Sequence, residues 1–337
     1  MNEVAAGVDE ALGHSGGRTS GLVIRALGWI SVAMIGAYIL NIVFTVYLDQ
    51  PGLAALAGEA QAGASSFVIL LIYAAAIAVP IALTVRAPER SLRADAMAIN
   101  AIVTYLIRAA FWAVVFVGAA DAFISFLRVE GLLETIMGPE LAGDLGRSRF
   151  RGPYVHVPLI ILGALLALRT KTLGFHWLAL LVVLAELAIV IGRFVFSYEQ
   201  AFQGDLVRFW YGALFLFASA YTLFDDGHVR VDVVYAGLSE RTKGLINAIG
   251  SMVLGLVVCW IVLLFGMGDK SSIINSALLT FEVSQSGFGM YVKYWMAVFL
   301  GLFAVAMGLQ FSSTFVEGMA NWRGEPGQRK ASGGSGH

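Results

Sequence analysis

Eight apolar segments, each near the length that crosses a bilayer, dominate this chain of 337 residues. A helix needs about 20 apolar residues to cross the hydrocarbon core. The fourth segment is short, so the count falls to seven if it is re-entrant. Lipid offers the backbone no hydrogen-bond partners, and the segments lack the alternation of barrel strands, so we predict an all-α integral membrane protein. The segments lie at 22–48, 65–86, 97–127, 154–168, 174–197, 205–224, 245–267 and 291–316.

The composition supports the membrane assignment. Hydrophobic residues make up 58% of the chain and charged residues 13%, with a mean hydropathy of +0.79. Soluble domains carry about 25% charged residues. The net charge of −1 gives no basic surface for phosphates, so we predict no nucleic-acid partner. The only cysteine, Cys259, lies in an apolar segment and is interpreted as a small buried hydrophobic residue.

Composition separates the polar ends of the chain from its apolar middle. We interpret 1–20 as a polar cytoplasmic tail and 321–337 as a flexible cytoplasmic tail, with the membrane spans between them. The polar start does not have the pattern of a signal peptide. Thirteen lysines and arginines flank the spans on one side and six on the other, although the 128–152 loop puts four arginines on the poorer side. The positive-inside rule therefore predicts that both termini are cytoplasmic.

Arg108, Asp121, Glu186 and Arg193 are ionisable residues in or near the hydrocarbon, where a charge is costly unless it is paired or solvated. Arg108 and Asp121 share one helix but lie about 20 Å apart along its axis, so they cannot pair with each other. These residues indicate either a proton or ion path or polar contacts between helices. Their scatter favours the second interpretation, because a relay requires closely spaced acids.

The sequence indicates no catalytic or metal site. No two of the five histidines have the i, i+3 or i, i+4 spacing of ligands on a helix, and no Cys/His ligand pair exists. There is no glycine-rich phosphate loop after a strand pattern, and no nucleophile is paired with a base. We therefore predict no catalytic or substrate-binding residue, no metal, no cofactor and no enzymatic activity.

An unusual polar segment, Gly227–Asp232, follows the sixth span. If it is extended, His228, Arg230 and Asp232 lie on one face and valines on the other. If it is helical, His228 and Asp232 align while Arg230 points away. Periodicity alone favours an ordinary charged loop beside the membrane, and a docking surface is the alternative.

Several short motifs occur along this chain in the same order as in one family of membrane proteins. Arg193-Phe194 close a span, Asp205 opens the next, Gly-His-Val-Arg-Val-Asp follows at 227–232, and Leu-Ser-x-Arg-x-Lys begins the next helix at 238–243. In this order, residues 178–316 resemble the small membrane subunit of TRAP (tripartite ATP-independent periplasmic) transporters, the DctQ-like family. The Gly-His-Val-Arg-Val-Asp motif is the most specific match. The resemblance leaves out residues 1–170, which make this chain longer than the usual small subunit. It implies an N-terminal membrane extension of about four helices at 21–172 and a DctQ-like four-helix membrane domain at 173–320.

The resemblance implies a non-catalytic subunit of a sodium-driven importer of organic acids, such as C4-dicarboxylates, in a bacterial inner membrane. Its expected partners are a large DctM-like membrane subunit, which it braces, a periplasmic DctP-like binding protein, and membrane lipid. The extra N-terminal helices then either enlarge the scaffold or contact the binding protein. The alternative function is a self-sufficient transporter, channel or membrane enzyme that uses Arg108, Asp121 and Glu186 around one cavity.

The resemblance also suggests roles for individual residues. His228, Arg230 and Asp232 would contact the large subunit or fix the loop geometry. Arg193, Asp205 and Arg208 would form a small ionic cluster. Four aromatic residues of the sixth span would pack on the partner: Phe209, Trp210, Phe215 and Phe217.

Overall fold

The computed structural model describes residues 2–58, 61, 63–171, 174–225, 233–283 and 289–328, with side chains from Ser20 onward. The regular elements in these ranges are helices, without strands, which confirms the all-α prediction. Eight of the described helices are long and apolar enough to cross a membrane, so the count of eight is also confirmed. The segments between them include a short helix, Ile273–Thr280, that precedes the last span.

We number the eight long helices α1 to α8 in chain order. Their bounds are Ser20–Tyr47, Ala64–Arg86, Leu92–Val129, Ser148–Ala167, Phe175–Phe196, Ala201–Phe224, Glu240–Met267 and Lys293–Arg323. The fourth is a continuous 20-residue helix rather than a short one, because its first turns include Ser148, Arg149 and Arg151, which precede the apolar stretch.

Several helices begin before, or end after, the apolar stretch that predicted them. α3 begins at Leu92 instead of 97, and α7 at Glu240 instead of 245. Polar residues continue the backbone hydrogen bonds of a helix beyond its apolar part, so hydropathy alone places such ends too far inward. At the start of α7, the Ser239 hydroxyl accepts a hydrogen bond from the Thr242 N–H at 3.2 Å. Ser239 therefore caps this helix, as its residue type predicts.

The chain divides into two compact units, and each unit combines residues from the N-terminal extension with residues from the C-terminal membrane domain. The first contains residues 1–101, 223–260 and 307–337, and the second contains 102–222 and 261–306. The polar residues that the sequence placed inside spans, Arg108, Asp121 and Glu186, all belong to the second unit.

Within the first unit, a buried ion pair joins α1 to α3. Arg25 and Asp95 are 4% and 2% exposed, and Arg25 Nε lies 2.5 Å from the Asp95 carboxylate. Arg90 pairs with the same carboxylate at 2.7 Å. On the neighbouring α8, the Ser313 hydroxyl donates to the Ala96 carbonyl at 2.8 Å. These contacts satisfy the polar groups of three helices and fix them to one another.

Candidate functional site

A buried carboxylate, Asp121 of α3, lies at the centre of the second unit. Its side chain is fully buried, and its Oδ1 accepts from Arg151 Nη1 at 2.8 Å and from His156 Nε2 at 3.1 Å. Its Oδ2 accepts the backbone N–H of Tyr291 at 2.7 Å. Both oxygens are therefore used, and one carboxylate joins α3 to two segments that are distant in sequence, α4 and the residues before α8.

Arg151, near the start of α4, supplies the opposite charge. Its guanidinium is fully buried; Nε donates to the Leu145 carbonyl at 2.5 Å and Nη1 also donates to the Ser125 hydroxyl at 3.1 Å. The guanidinium carbon lies 4.4 Å from the centre of the Tyr291 ring. A cation over an aromatic face gains electrostatic attraction, more so in a desolvated site. Tyr291 thus contributes both its backbone and its ring to this ion pair.

The hydrogen bonds of His156 assign its tautomer. Trp295 Nε1 lies 3.0 Å from His156 Nδ1, and the Tyr294 hydroxyl lies 2.7 Å from the same nitrogen. An indole N–H can only donate, so Nδ1 is the acceptor and the ring proton is on Nε2. Nε2–H therefore donates to Asp121. With a neutral imidazole, the charges of Asp121 and Arg151 balance each other.

Small residues let α4 approach its neighbours closely. A Cβ added to Gly163 would lie 2.7 Å from the backbone nitrogen of Ala113 in α3, and one added to Gly152 would lie 2.5 Å from the Phe281 ring. Glycine at such positions allows helix backbones to touch, as in many membrane bundles. From Gly152 to His156 the helix widens into a π-type turn, the type of local distortion that is frequent at polar sites. These features bring Arg151 and His156 to Asp121.

A second carboxylate, Asp205 of α6, holds the residue next to Tyr291. Asp205 Oδ2 accepts the backbone N–H of Met290 at 3.0 Å, and Oδ1 pairs with Arg208 at 3.0 Å. Consecutive backbone amides just before α8 are thus held by acids from two different helices. Carboxylates are favourable near a helix N-terminus because unpaired N–H groups point there.

A cleft of about 560 Å³ lies beside Asp205. Two cations on its wall are paired, Arg208 with Asp205 at 3.0 Å and Lys293 with Glu282 at 2.5 Å. Most of the remaining lining is apolar, including Met290. The lining of the cleft therefore consists of paired charged side chains and apolar side chains. In the part of the chain that the structure describes, no group of three or more His, Cys, Asp or Glu side chains is arranged to hold a metal ion.

The three polar residues predicted inside spans have separate environments. Asp121 belongs to the buried network. Arg108 donates from Nη1 to the Ala167 carbonyl at 3.3 Å. Glu186 lies exposed at the middle of α5. The residues Arg108, Asp121 and Glu186 thus do not meet in the described structure.

The other predicted site residues are divided in the same way. Asp205 and Arg208 form an ion pair. Arg193 pairs instead with Glu199 at 3.5 Å, and both of these side chains are exposed. His228, Arg230 and Asp232 lie outside the described residues.

The aromatic residues of α6 need a correction. Phe209, Trp210 and Phe217 are 1%, 6% and 3% exposed, so the expectation that they pack on a partner is wrong. The indole N–H of Trp210 donates to the Val114 carbonyl at 3.2 Å, inside the chain, which leaves Trp210 with a structural role. Phe215 is 67% exposed and remains available to a partner.

Sequence reasoning missed Arg151, His156 and Tyr291. Arg151 was assigned to the polar loop 128–152, because it stands among other arginines and acids in a segment of low hydropathy. One signal pointed to it: a lone acid such as Asp121 inside a span requires a base at similar depth. The arginine that begins the next span is the natural candidate.

Comparison with known families identifies the C-terminal part of the chain. Residues 180–321 match the family model described as "Tripartite ATP-independent periplasmic transporters, DctQ component". Residues 180–321 are therefore similar to the DctQ component of these transporters, and we call this range the DctQ domain. The resemblance inferred from the sequence motifs is thereby confirmed, with nearly the same limits. A search of curated proteins found no match, and neither did a search of solved structures.

The buried network joins the DctQ domain to helices that precede it in the chain. Tyr291, Tyr294 and Trp295 lie inside the matched range, whereas Asp121, Arg151 and His156 lie before it. Each of the three earlier side chains has a partner in the DctQ domain: Asp121 and Arg151 contact Tyr291, and His156 contacts Trp295. Buried polar contacts therefore join α3 and α4 to residues 291–295, at the start of α8.

Proposed function

We propose that this chain is the small, non-catalytic membrane subunit of a TRAP-type secondary transporter in a bacterial inner membrane. In this proposal the transporter imports organic acids, such as C4-dicarboxylates, with a sodium gradient. A periplasmic DctP-like protein delivers the substrate, and a large DctM-like subunit moves it. The observation that carries the proposal is the DctQ domain at 180–321. The positive-inside rule supports cytoplasmic termini.

A bracing role fits the way in which the buried polar groups are used. Both oxygens of the Asp121 carboxylate accept hydrogen bonds, one from Arg151 and one from the backbone N–H of Tyr291. Asp205 accepts the backbone N–H of Met290, the residue before Tyr291. Buried pairs of this kind fix one arrangement of helices rather than offering groups to a passing solute. We infer that the N-terminal extension enlarges the scaffold, since it contributes Asp121, Arg151 and His156.

The polar segment at 227–232 is the second expected contact with the large subunit. We propose that His228, Arg230 and Asp232 touch that subunit or set the geometry of the loop. The test replaces Arg230 and Asp232 with alanine together and measures co-purification of the large subunit and sodium-driven uptake in liposomes with the binding protein. Loss of either supports the role, and unchanged assembly and uptake would remove the loop from the mechanism.

A direct test separates this proposal from a self-sufficient transporter. The purified chain is reconstituted alone, and in parallel with the large subunit from the same genome, and organic-acid uptake is measured with binding protein and a sodium gradient. We expect uptake only when the large subunit is present. Flux through the chain alone would replace the proposal, although Arg108, Asp121 and Glu186 occupy three separate environments.

A further inference from the structure

Helix α5 is the least buried of the eight spans. Only 6% of its most apolar stretch is buried within the chain, against 61% for α3 and 50% for α8. Leu178 and Gly192 are the buried residues of this helix. Most residues of this helix are exposed in the described structure, so much of its surface is open to lipid or another protein.

A carboxylate lies at the middle of this exposed helix. Glu186 is about eleven residues from each end of the 22-residue helix, or about 16 Å along the axis, which places it near the centre of a bilayer. Its side chain is exposed, and among the described residues it has no hydrogen bond or ion pair. A carboxylate at this depth is costly without a donor. The described part of the chain supplies none.

Glu186 belongs to a regular stripe on α5. Ala179, Val183, Glu186, Val190 and Arg193 follow each other at intervals of four, three, four and three residues. This spacing places side chains in one seam along a helix and is the spacing at which helices pack on one another. Val183 is 60% exposed, Val190 48% and the Arg193 side chain 63%, so the seam is open. We call these five residues the α5 seam.

The chemistry of the seam selects what covers it. Acyl chains of lipid have no donor for a carboxylate at mid-depth. A second copy related by a two-fold axis along the membrane normal would place Glu186 against Glu186, because the same patch meets itself at the same depth. A transmembrane helix of a different protein, with a basic or hydrogen-bond-donating side chain at its middle, satisfies the carboxylate and packs on the small and branched residues around it.

We propose that the α5 seam binds a transmembrane helix of the large transport subunit, and that Glu186 accepts a hydrogen bond or ion pair from a donor at the middle of that helix. The partner in this inference rests on the proposed function. The position of the binding surface on α5 comes from the structure itself.

Crosslinking at matched positions tests the surface. Cys259 is the only cysteine, so a Cys259→Ser background allows a single benzophenone label at an introduced cysteine. Val183→Cys and Val190→Cys label the seam. Leu184→Cys and Ile191→Cys are the controls, because each is one residue further along, at nearly the same depth, exposed, and on another face. After co-expression with the large subunit, we expect its adduct at 183 and 190 and little at 184 and 191.

Substitution of Glu186 tests the carboxylate in the same complex. We expect Glu186→Leu to weaken association with the large subunit by about 3- to 30-fold, as loss of one interhelical polar contact predicts, with Glu186→Gln between Leu and the parent. Leu184→Ala is the control and should leave association unchanged. Size-exclusion profiles of the chain alone show whether each variant folds, and the crosslinks in the parent chain test the seam independently of them.

The outcomes separate the inference from the function on which it rests. If the large subunit co-purifies but crosslinks only at 184 and 191, or if Glu186→Leu binds as the parent does, the seam is wrong and the proposed function stands. A self-adduct of twice the chain mass at 183 and 190 would assign the seam to a homodimer. If the labels at 183 and 190 form only lipid adducts while the large subunit is bound, Glu186 faces lipid and the proposed seam is wrong. If the large subunit neither co-purifies nor crosslinks at any position, the proposed function itself fails.

Discussion

Replacing Arg151 with methionine should destabilise this protein more than replacing any arginine on its surface. The substitution keeps most of the side-chain volume but leaves the Asp121 carboxylate, fully buried, without its main counter-charge. Removing one partner of a buried ion pair costs about 3–5 kcal/mol. At about 2–4 °C per kcal/mol, the thermal transition in detergent should fall by about 6–20 °C.

A surface ion pair close in sequence gives the matched control. Arg147 pairs with Asp144, but its side chain is 68% exposed. Exposed pairs contribute about 0–1 kcal/mol, so Arg147→Met should shift the transition little. Tryptophan fluorescence reports on the site directly, because the Trp295 indole donates to His156, which donates to Asp121.

A double-mutant cycle then separates the interaction from the effects of each side chain. Asp121→Asn alone leaves Arg151 as an uncompensated buried cation, whereas Asp121→Asn with Arg151→Met leaves two neutral side chains. The double variant should therefore cost less than the sum of the single variants, by about 0.5–3 kcal/mol. Strict additivity, or equal effects of Arg151→Met and Arg147→Met, would refute the assignment of Arg151 as the counter-charge of Asp121.

Three further predictions concern the packing of one helix, the cap of another and the titration of one tyrosine. Gly163→Leu should destabilise the fold by about 1–3 kcal/mol or more in denaturant unfolding, because its side chain would meet the backbone of Ala113. Ser239→Ala should cost about 1 kcal/mol in the same assay by removing the cap of α7. Burial and a 2.5 Å hydrogen bond to Glu130 raise the pKa of Tyr198 to about 12. The stability that this contributes is fully present below the ordinary tyrosine pKa and is lost as pH rises through about 12; Glu130→Gln should lower that pKa in an ultraviolet titration, and an unchanged titration would contradict the contact.

The spans could be predicted from the sequence because the bilayer fixes their length. Eight apolar stretches close to the length that crosses a bilayer leave few alternatives, and the eight described helices follow them. Local signals are also sufficient where a side chain bonds to the backbone of a residue close to it in sequence, as Ser239 does when it caps α7. The predicted starts of α3 and α7 lie too far inward, because hydropathy does not report where the backbone hydrogen bonds of a helix begin.

The buried network could not be predicted because its members are distant in sequence. Asp121 finds its partners 30, 35 and 170 positions away, and no local pattern encodes those distances. In the sequence, Asp121 and Glu186 belong to one class, an acid inside a span. In the fold, the first is buried against a base and a histidine, while the second is exposed at the middle of α5. Tertiary packing alone separates a structural acid from one that is open to a partner.

The start of α8 is where these contacts converge, and Asp205 offers a way to separate charge from hydrogen bonding there. Asp205→Asn keeps an oxygen for the Met290 N–H and removes only the charge opposite Arg208, whose side chain is 71% exposed. Asp205→Ala removes the acceptor and leaves the N–H of Met290, a residue that is 1% exposed, without that bond. An unsatisfied buried amide costs about 1–3 kcal/mol, and a solvent-screened pair contributes about 0–1 kcal/mol. Denaturant unfolding should therefore rank Ala well below Asn; equal losses would mean that the charge, rather than the amide bond, fixes this end of the DctQ domain's last helix.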